Sequence, residues 1–63
     1  MTQYRATSNA NIRDEPHIKA HVAAIVGAGA IVHVDPDRTP DGEWLPVILV
    51  RGWVHKSVVE ALE

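Results

Sequence analysis

The amino-acid sequence predicts an all-β fold: a small barrel of about five short strands closed by a short C-terminal helical turn. Three observations lead there. Short β-branched runs recur, as in Val22 to Val26 and Ile31 to Val34. Turn signals separate them, chiefly Gly27-Ala28-Gly29 and Pro36 to Gly42. With 63 residues the chain has room for one small domain, residues 1–63, and only a small barrel fits.

Taken in order, Tyr4-Arg5-Ala6-Thr7 reads as a short strand and Ser8-Asn9-Ala10-Asn11 has a turn composition. Ile12-Arg13 is a brief extended piece ended by Asp14-Glu15-Pro16, where the proline biases Glu15 away from the helical region. His17, Ile18, His21, Val22 and Ile25 are spaced like one face of a helix, but the segment is short and runs into Gly27-Ala28-Gly29. A loop followed by a strand over Val22 to Val26 is preferred. Ala30 to Asp35 is the clearest strand, with His33 facing out between Val32 and Val34. After the Pro36 to Gly42 loop, Glu43 to Ile48 alternates as a strand. Pro46 lacks an N–H, which places it at an edge or a bulge. Gly52 to His55 is a last short strand, and Ser57 is expected to cap a final turn over Val58 to Leu62 with Glu60 at its third position.

Composition narrows the function classes. A chain this short buries only roughly 60% of the surface it exposes when unfolded. It has no cysteine, so neither a disulfide nor a thiolate zinc site props it up. Apolar residues make up 46% and charged residues 22%, the balance of a globular domain rather than a disordered tail. The net charge is −2 and the six basic residues are scattered, which argues against nucleic acid as a partner. The apolar run from Val22 to Val34 is broken by Gly27, Gly29 and His33 and is too short for a bilayer, so no membrane role is expected. Residues 1–16 lack the apolar core of a secretory signal, so the chain as written is expected to stay where it is made. An excised domain of a secreted protein would look the same, and the localisation stays open.

The order of pieces resembles the bacterial SH3 domain family. Asn11-Ile12-Arg13-x-x-Pro16 is similar to that family's Asn-Val-Arg-x-x-Pro opening. Val22 to Val26, Gly29 and Ile31 to Val34 follow at the family's spacing. Gly42-Glu43-Trp44-Leu45-Pro46-Val47 is similar to its Gly-x-Trp-x-x-Val element, and Gly52-Trp53-Val54 with Lys56 to Leu62 to its ending. The resemblance spans Tyr4 to Leu62 and implies an SH3-like β-barrel. One departure stands out: the hairpin before Gly52 is shortened to Ile48-Leu49-Val50-Arg51, with no turn former. β-Branched residues resist the positive φ of tight turns. Either this turn is unusual, or the segment stays extended and pairs elsewhere.

The resemblance implies a non-catalytic binding module, either a protein–protein adaptor or a peptidoglycan-binding domain. A protein-interaction role is favoured, with a place as a stand-alone subunit of a bacterial or phage assembly. Cell-wall binding is the alternative and a structural homo-oligomer the second alternative. Trp44 falls where the family carries its groove tryptophan, whereas Trp53 is expected at the core or its edge. Tyr4 is the one aromatic of the opening strand, and His55 and Val58 take the groove proline and tyrosine positions of eukaryotic SH3 domains. The loop with Arg13, Asp14, Glu15 and His17 corresponds to the long loop beside the groove, and its charges are candidates for selecting a polar ligand. Arg13 itself is expected to brace that loop through backbone carbonyls or acids. Val47, Ile48, Leu49 and Val50 form a second candidate interface, because four consecutive aliphatics leave apolar groups outside a two-sided strand.

Catalytic and metal readings have less support. His17 and His21 are four apart, a ligand spacing that means something only on a helix. Asp35, Asp37, Thr39 and Asp41 imitate a calcium loop, but Pro40 stands where the turn wants glycine and Pro46 where it wants the bidentate glutamate. No metal and no cofactor is expected. Gly27-Ala28-Gly29-Ala30 lacks the lysine and helix of a phosphate loop, and no Ser, His, Asp spacing suggests a triad.

Overall fold

The computed structural model describes residues 3–62. Seven strands run in chain order: β1 (Gln3–Ala6), β2 (Ala10–Arg13), β3 (Val22–Val26), β4 (Ile31–His33), β5 (Trp44–Pro46), β6 (Trp53–His55) and β7 (Val59–Ala61). They form two antiparallel sheets, β4-β1-β7 and β3-β2-β6-β5. The fold is thus all-β, as the turn spacing predicts, with more strands than the expected five.

Two of those strands correct the expectation. The turn after β1 is shorter than Ser8 to Asn11, and β2 already begins at Ala10, where Ala10 and Ile12 turn inward and are fully buried. The expected helical turn over Val58 to Leu62 does not form. A single 3-10 turn spans Lys56–Val58, and the chain then runs as β7 against β1, pairing Ala6 with Val59 and Tyr4 with Ala61. Val58-Val59 favours extended backbone. Glu60 does not reach back to cap a helix; it accepts from Arg5 across the strand pair (Nε to Oε2, 2.9 Å). The His55 ring caps the 3-10 turn instead, accepting from the Ser57 amide.

Both sheets contribute to one core. Ala6, Val32 and Val59 come from the first sheet, and Ala10, Ile12, Leu45 and Val54 from the second, with Val47 between them. Alternation assigns the faces. Ile12 and Val54 point in, whereas Asn11, Arg13, Trp53 and His55 point out on the other face of the second sheet. His33 faces out as expected. Pro46 lies on β5, at the edge of its sheet, where its missing N–H costs no ladder bond.

The two sheets meet where β4 and β5 end. Val34 bridges Val47, the Asp35 amide donates to the Pro46 carbonyl (2.8 Å), and the Ile48 amide to the His33 carbonyl (3.0 Å). The strands therefore follow one another as a curved ribbon in the order β7-β1-β4-β5-β6-β2-β3. Among the described residues no strand pairing joins β3 to β7, so these two are the ends of the ribbon.

The shortened hairpin resolves as an unusual turn. Val47 and Gly52 close it (N to O, 2.9 Å), and residues 49–51 make a 3-10 turn in which Val50 and Arg51 adopt positive φ of 45° and 48°. For a β-branched side chain that conformation is strained by about 1–2 kcal/mol. Val50 is 52% exposed, so little packing opposes its removal. Val50→Gly is expected to raise stability by about 1 kcal/mol in a urea titration, the relief of strain outweighing the extra chain entropy of glycine. A loss of stability would mean that Val50 contributes more contact than strain.

Candidate functional site

A cleft of about 240 Å³ opens on the outer face of the second sheet. One wall is Trp44, held at the start of β5 by a tight turn. Asp41 and Trp44 exchange both backbone hydrogen bonds (3.0 and 2.9 Å), and Gly42 supplies the positive φ of 62° inside that turn. Cross-strand pairing sets Trp44 beside His55, with the rings edge to face at 4.9 Å between centroids.

His55 is itself fixed. Its Nδ1 accepts from the Ser57 amide (3.1 Å) and faces the Ser57 hydroxyl (2.8 Å), while its Nε2 lies 3.3 Å from Glu43 Oε1. The Ser57 amide donates to Nδ1, which leaves the ring proton of the neutral imidazole on Nε2, toward Glu43. The Ser57, His55, Glu43 chain has the composition of a hydrolytic triad. Its Nδ1 lone pair, however, is shared with the Ser57 amide, and the contact serves as the cap of the 3-10 turn.

The opposite side comes from β2 and the loop after it. Asn9, Asn11, Arg13 and Ile18 line it, and Val58 and Ser57 complete the surface below His55. The loop is braced as the sequence predicts: Arg13 Nη1 donates to the Ala20 carbonyl (2.8 Å). The Asp14 amide to the His21 carbonyl (3.0 Å) and the Ala20 amide to the His17 carbonyl (3.0 Å) tighten it further. A wall built this way loses little entropy when a ligand arrives.

The other sequence candidates fall elsewhere. Asp14, Glu15 and His17 are exposed in the braced loop and do not line the cleft; the His17 ring instead accepts from the Lys19 amide (3.1 Å). Tyr4 lies in β1, in the other sheet, packed on the core rather than near Trp44. Val47 is only 1% exposed, so it is a core residue and not part of a surface patch. Its neighbours Ile48, Leu49 and Val50 are exposed, at 51%, 44% and 52%. Asn9, Asn11, Ile18 and Ser57 escaped the sequence reading. For Asn11 a signal existed: it stands between Ala10 and Ile12, and reading a strand from Ala10 would have turned it outward.

A second cluster lies beside the site and is structural. Arg38, from the loop after β4, donates Nε to Asp35 Oδ2 (3.1 Å), Nη1 to the Arg51 carbonyl (2.9 Å) and Nη2 to the carbonyls of Val47 (2.6 Å) and Gly52 (3.3 Å). Its guanidinium also covers the Trp53 ring at 5.1 Å. Trp53 thus packs against the clamp that holds the 48–51 turn. The Asp37 amide donates to Asp35 Oδ1 (2.9 Å). That bond, and then the hydrogen bond and charge of Arg38 with the charge of Arg51, hold the Asp35 carboxyl below its ordinary range, against an opposing effect of burial.

Among the described residues, no group of three or more His, Cys, Asp or Glu side chains converges as metal ligands do, and no helix is long and apolar enough to cross a membrane. No family model matches the chain, and neither a curated protein nor a solved structure is significantly similar to it.

Proposed function

We propose that this chain is a non-catalytic binding module with an SH3-like barrel of the bacterial SH3 kind, and that the cleft beside Trp44 receives a segment of a partner protein. The observation that carries the reading is the pairing of a half-buried tryptophan, fixed edge to face on His55, with hydrogen-bonding side chains across an open cleft. Fixed aromatic walls with polar groups opposite are the usual makeup of recognition sites, and tryptophan is among the residues most often dominant in them. The single core fed by both sheets and the ribbon order of the strands support the barrel. A place as a subunit of a bacterial or phage assembly accords with this role.

Peptidoglycan is the alternative ligand. Asn9, Asn11 and Ser57 are uncharged hydrogen-bonding groups beside an aromatic ring, a lining that suits sugar hydroxyls and amides as well as a peptide backbone. Calorimetry with peptides selected on the immobilised protein, alongside sedimentation with intact sacculi, separates the two. Trp44→Ala is expected to weaken the true ligand at least tenfold, about 1.4 kcal/mol, with an unchanged far-UV spectrum. Binding of either probe that is indifferent to Trp44→Ala would refute the cleft as the site.

A further inference from the structure

Among the described residues two cationic side chains are half-buried, Arg13 and Arg38. Arg38 has its carboxylate in Asp35, at 3.1 Å, and the exposed Arg5 has one in Glu60. Among the described residues Arg13 has none. Its Nη1 is held by the Ala20 carbonyl (2.8 Å), and no described residue accepts from its Nε or Nη2. Neither nitrogen is sealed inside the protein, since no described side-chain nitrogen or oxygen is buried without a partner. Nε and Nη2 form the edge of a guanidinium that grips a carboxylate through parallel hydrogen bonds. The Ala20 carbonyl thus fixes one corner of the fork and leaves the gripping edge open, on a residue that lines the cleft.

We propose that this edge of Arg13 is the anion subsite of the cleft, and that the bound segment presents a peptide carboxylate to it with an apolar side chain laid against Trp44. The inference rests on the cleft reading above and names the chemistry that the cleft selects. Arg13 is the one permanently charged side chain of the lining, and no carboxylate lines it. Glu43 lies against His55 Nε2 (3.3 Å), and Asp14 and Glu15, next along the chain, are exposed outside the cleft. A positive subsite with no acid of its own is complementary to an anion. A phosphate group carries nearly twice the charge of a carboxylate and is typically met by clustered cations. The lining offers a single fork, which favours the carboxylate.

The subsite is also held at its base. The Arg13 backbone pairs with Trp53 in the sheet while its Nη1 is tied to the loop, so little side-chain freedom is left to lose when an anion arrives. Arg13 on β2 and Trp44 on β5 are separated by β6, about 10 Å across the sheet. Both side chains are long and shorten that gap. The apolar group and the carboxylate therefore belong to neighbouring residues of an extended peptide.

The test is an amide shift titration of the labelled full chain with blocked dipeptides, at a pH above the histidine range so that Arg13 is the only full charge of the lining. N-acetyl-Leu-Gly is compared with its C-terminal amide, and N-acetyl-Leu-Asp-amide with N-acetyl-Leu-Asn-amide. The first pair offers a terminal carboxylate and the second a side-chain carboxylate, each beside its neutral counterpart. Ligands this small are expected to bind in the millimolar range. At least one acid is expected to bind about tenfold more tightly than its neutral counterpart, with shifts at Arg13, and the tighter acid identifies the source of the carboxylate. Arg13→Gln is expected to reduce that preference to within about twofold. The ratio is read within one variant, so a loosened loop that weakens both peptides does not imitate the result. A wild type that binds acid and neutral peptides equally, or binds none of them, overturns the proposal without any variant. So does a preference that survives Arg13→Gln, or an acid response as large at Arg51, exposed and outside the cleft, as at Arg13. Inorganic phosphate that binds at Arg13 more tightly than either acid overturns it too. The cleft reading fails separately, if Trp44→Ala leaves binding of the neutral peptides unchanged.

Discussion

Arg38→Ala is expected to remove a large part of the stability of this protein, about 2–4 kcal/mol. A chain of 63 residues holds only about 3–9 kcal/mol in total. The reason is convergence. One guanidinium serves three carbonyls, of Val47, Arg51 and Gly52, together with the Asp35 carboxylate and the Trp53 ring. Those carbonyls belong to the turn that holds Val50 and Arg51 at positive φ. Without the fork the turn loses its clamp, and Asp35, 7% exposed, loses its cation. Tm is expected to fall by about 10–20 °C, since 1 kcal/mol shifts a domain of this size by about 4–8 °C. Arg38→Lys is expected to recover little, because an ammonium does not span the same acceptors. A fall of less than about 3 °C would contradict the clamp.

The same pair shapes the acid limb of stability. The Asp35 carboxyl is held down first by the Asp37 amide and then by Arg38 and Arg51, so its folded pKa lies below the unfolded one. The unfolded state then binds the proton more readily. The stabilisation is complete above about pH 4, the unfolded value, and is lost as pH falls through the lower folded value. Asp35→Asn is expected to flatten the decline of Tm below that pH while lowering Tm at neutrality.

Gly52→Ala is the second large effect. A Cβ at Gly52 would overlap Ile12 Cγ2 and stand 2.8 Å from the Arg13 carbonyl oxygen. Neither neighbour can yield cheaply. Ile12 is fully buried in the core, and Arg13 is the residue through which β2 pairs with β6, opposite Trp53. The expected loss is about 2–3 kcal/mol, read from a urea midpoint. Gly29→Ala makes the comparison. Gly29 has φ of 89° but open space around it, so only the conformational cost of about 1 kcal/mol applies. Equal losses for the two variants would contradict the close approach at Gly52.

These two residues also show where sequence reading stops. In the sequence Gly52 marks only the start of a strand motif; its tight fit depends on β2, forty residues earlier, coming to lie beside it. The Pro36 to Gly42 segment reads only as a loop, because nothing local marks Arg38 as the meeting point of carbonyls from residues 47, 51 and 52. Strands with a strong local pattern were legible: Val22 to Val26 is found as expected, and the Ala30 to Asp35 run holds β4. β7 was missed because Glu60-Ala61-Leu62 suits a helix by propensity, and pairing with β1 overrides it. In the cleft, Trp44 is named by the resemblance to bacterial SH3 domains, and His55 and Val58 by the groove positions of eukaryotic SH3 domains. The resemblance groups Tyr4, Asp14, Glu15 and His17 with them, but none of the four lines the cleft. Asn11 was hidden by reading Ser8 to Asn11 as a turn, which broke the alternation that points it outward.

Backbone amide shift mapping tests the cleft as the binding site most directly. Peptides selected from a random library on the immobilised wild-type chain would be titrated into labelled protein. The result predicted is a set of shifts confined to Asn11, Arg13, Ile18, Trp44, His55 and Ser57, lost in Trp44→Ala. Shifts centred instead on Ile48 to Val50, or selected peptides that bind Trp44→Ala equally well, would contradict it.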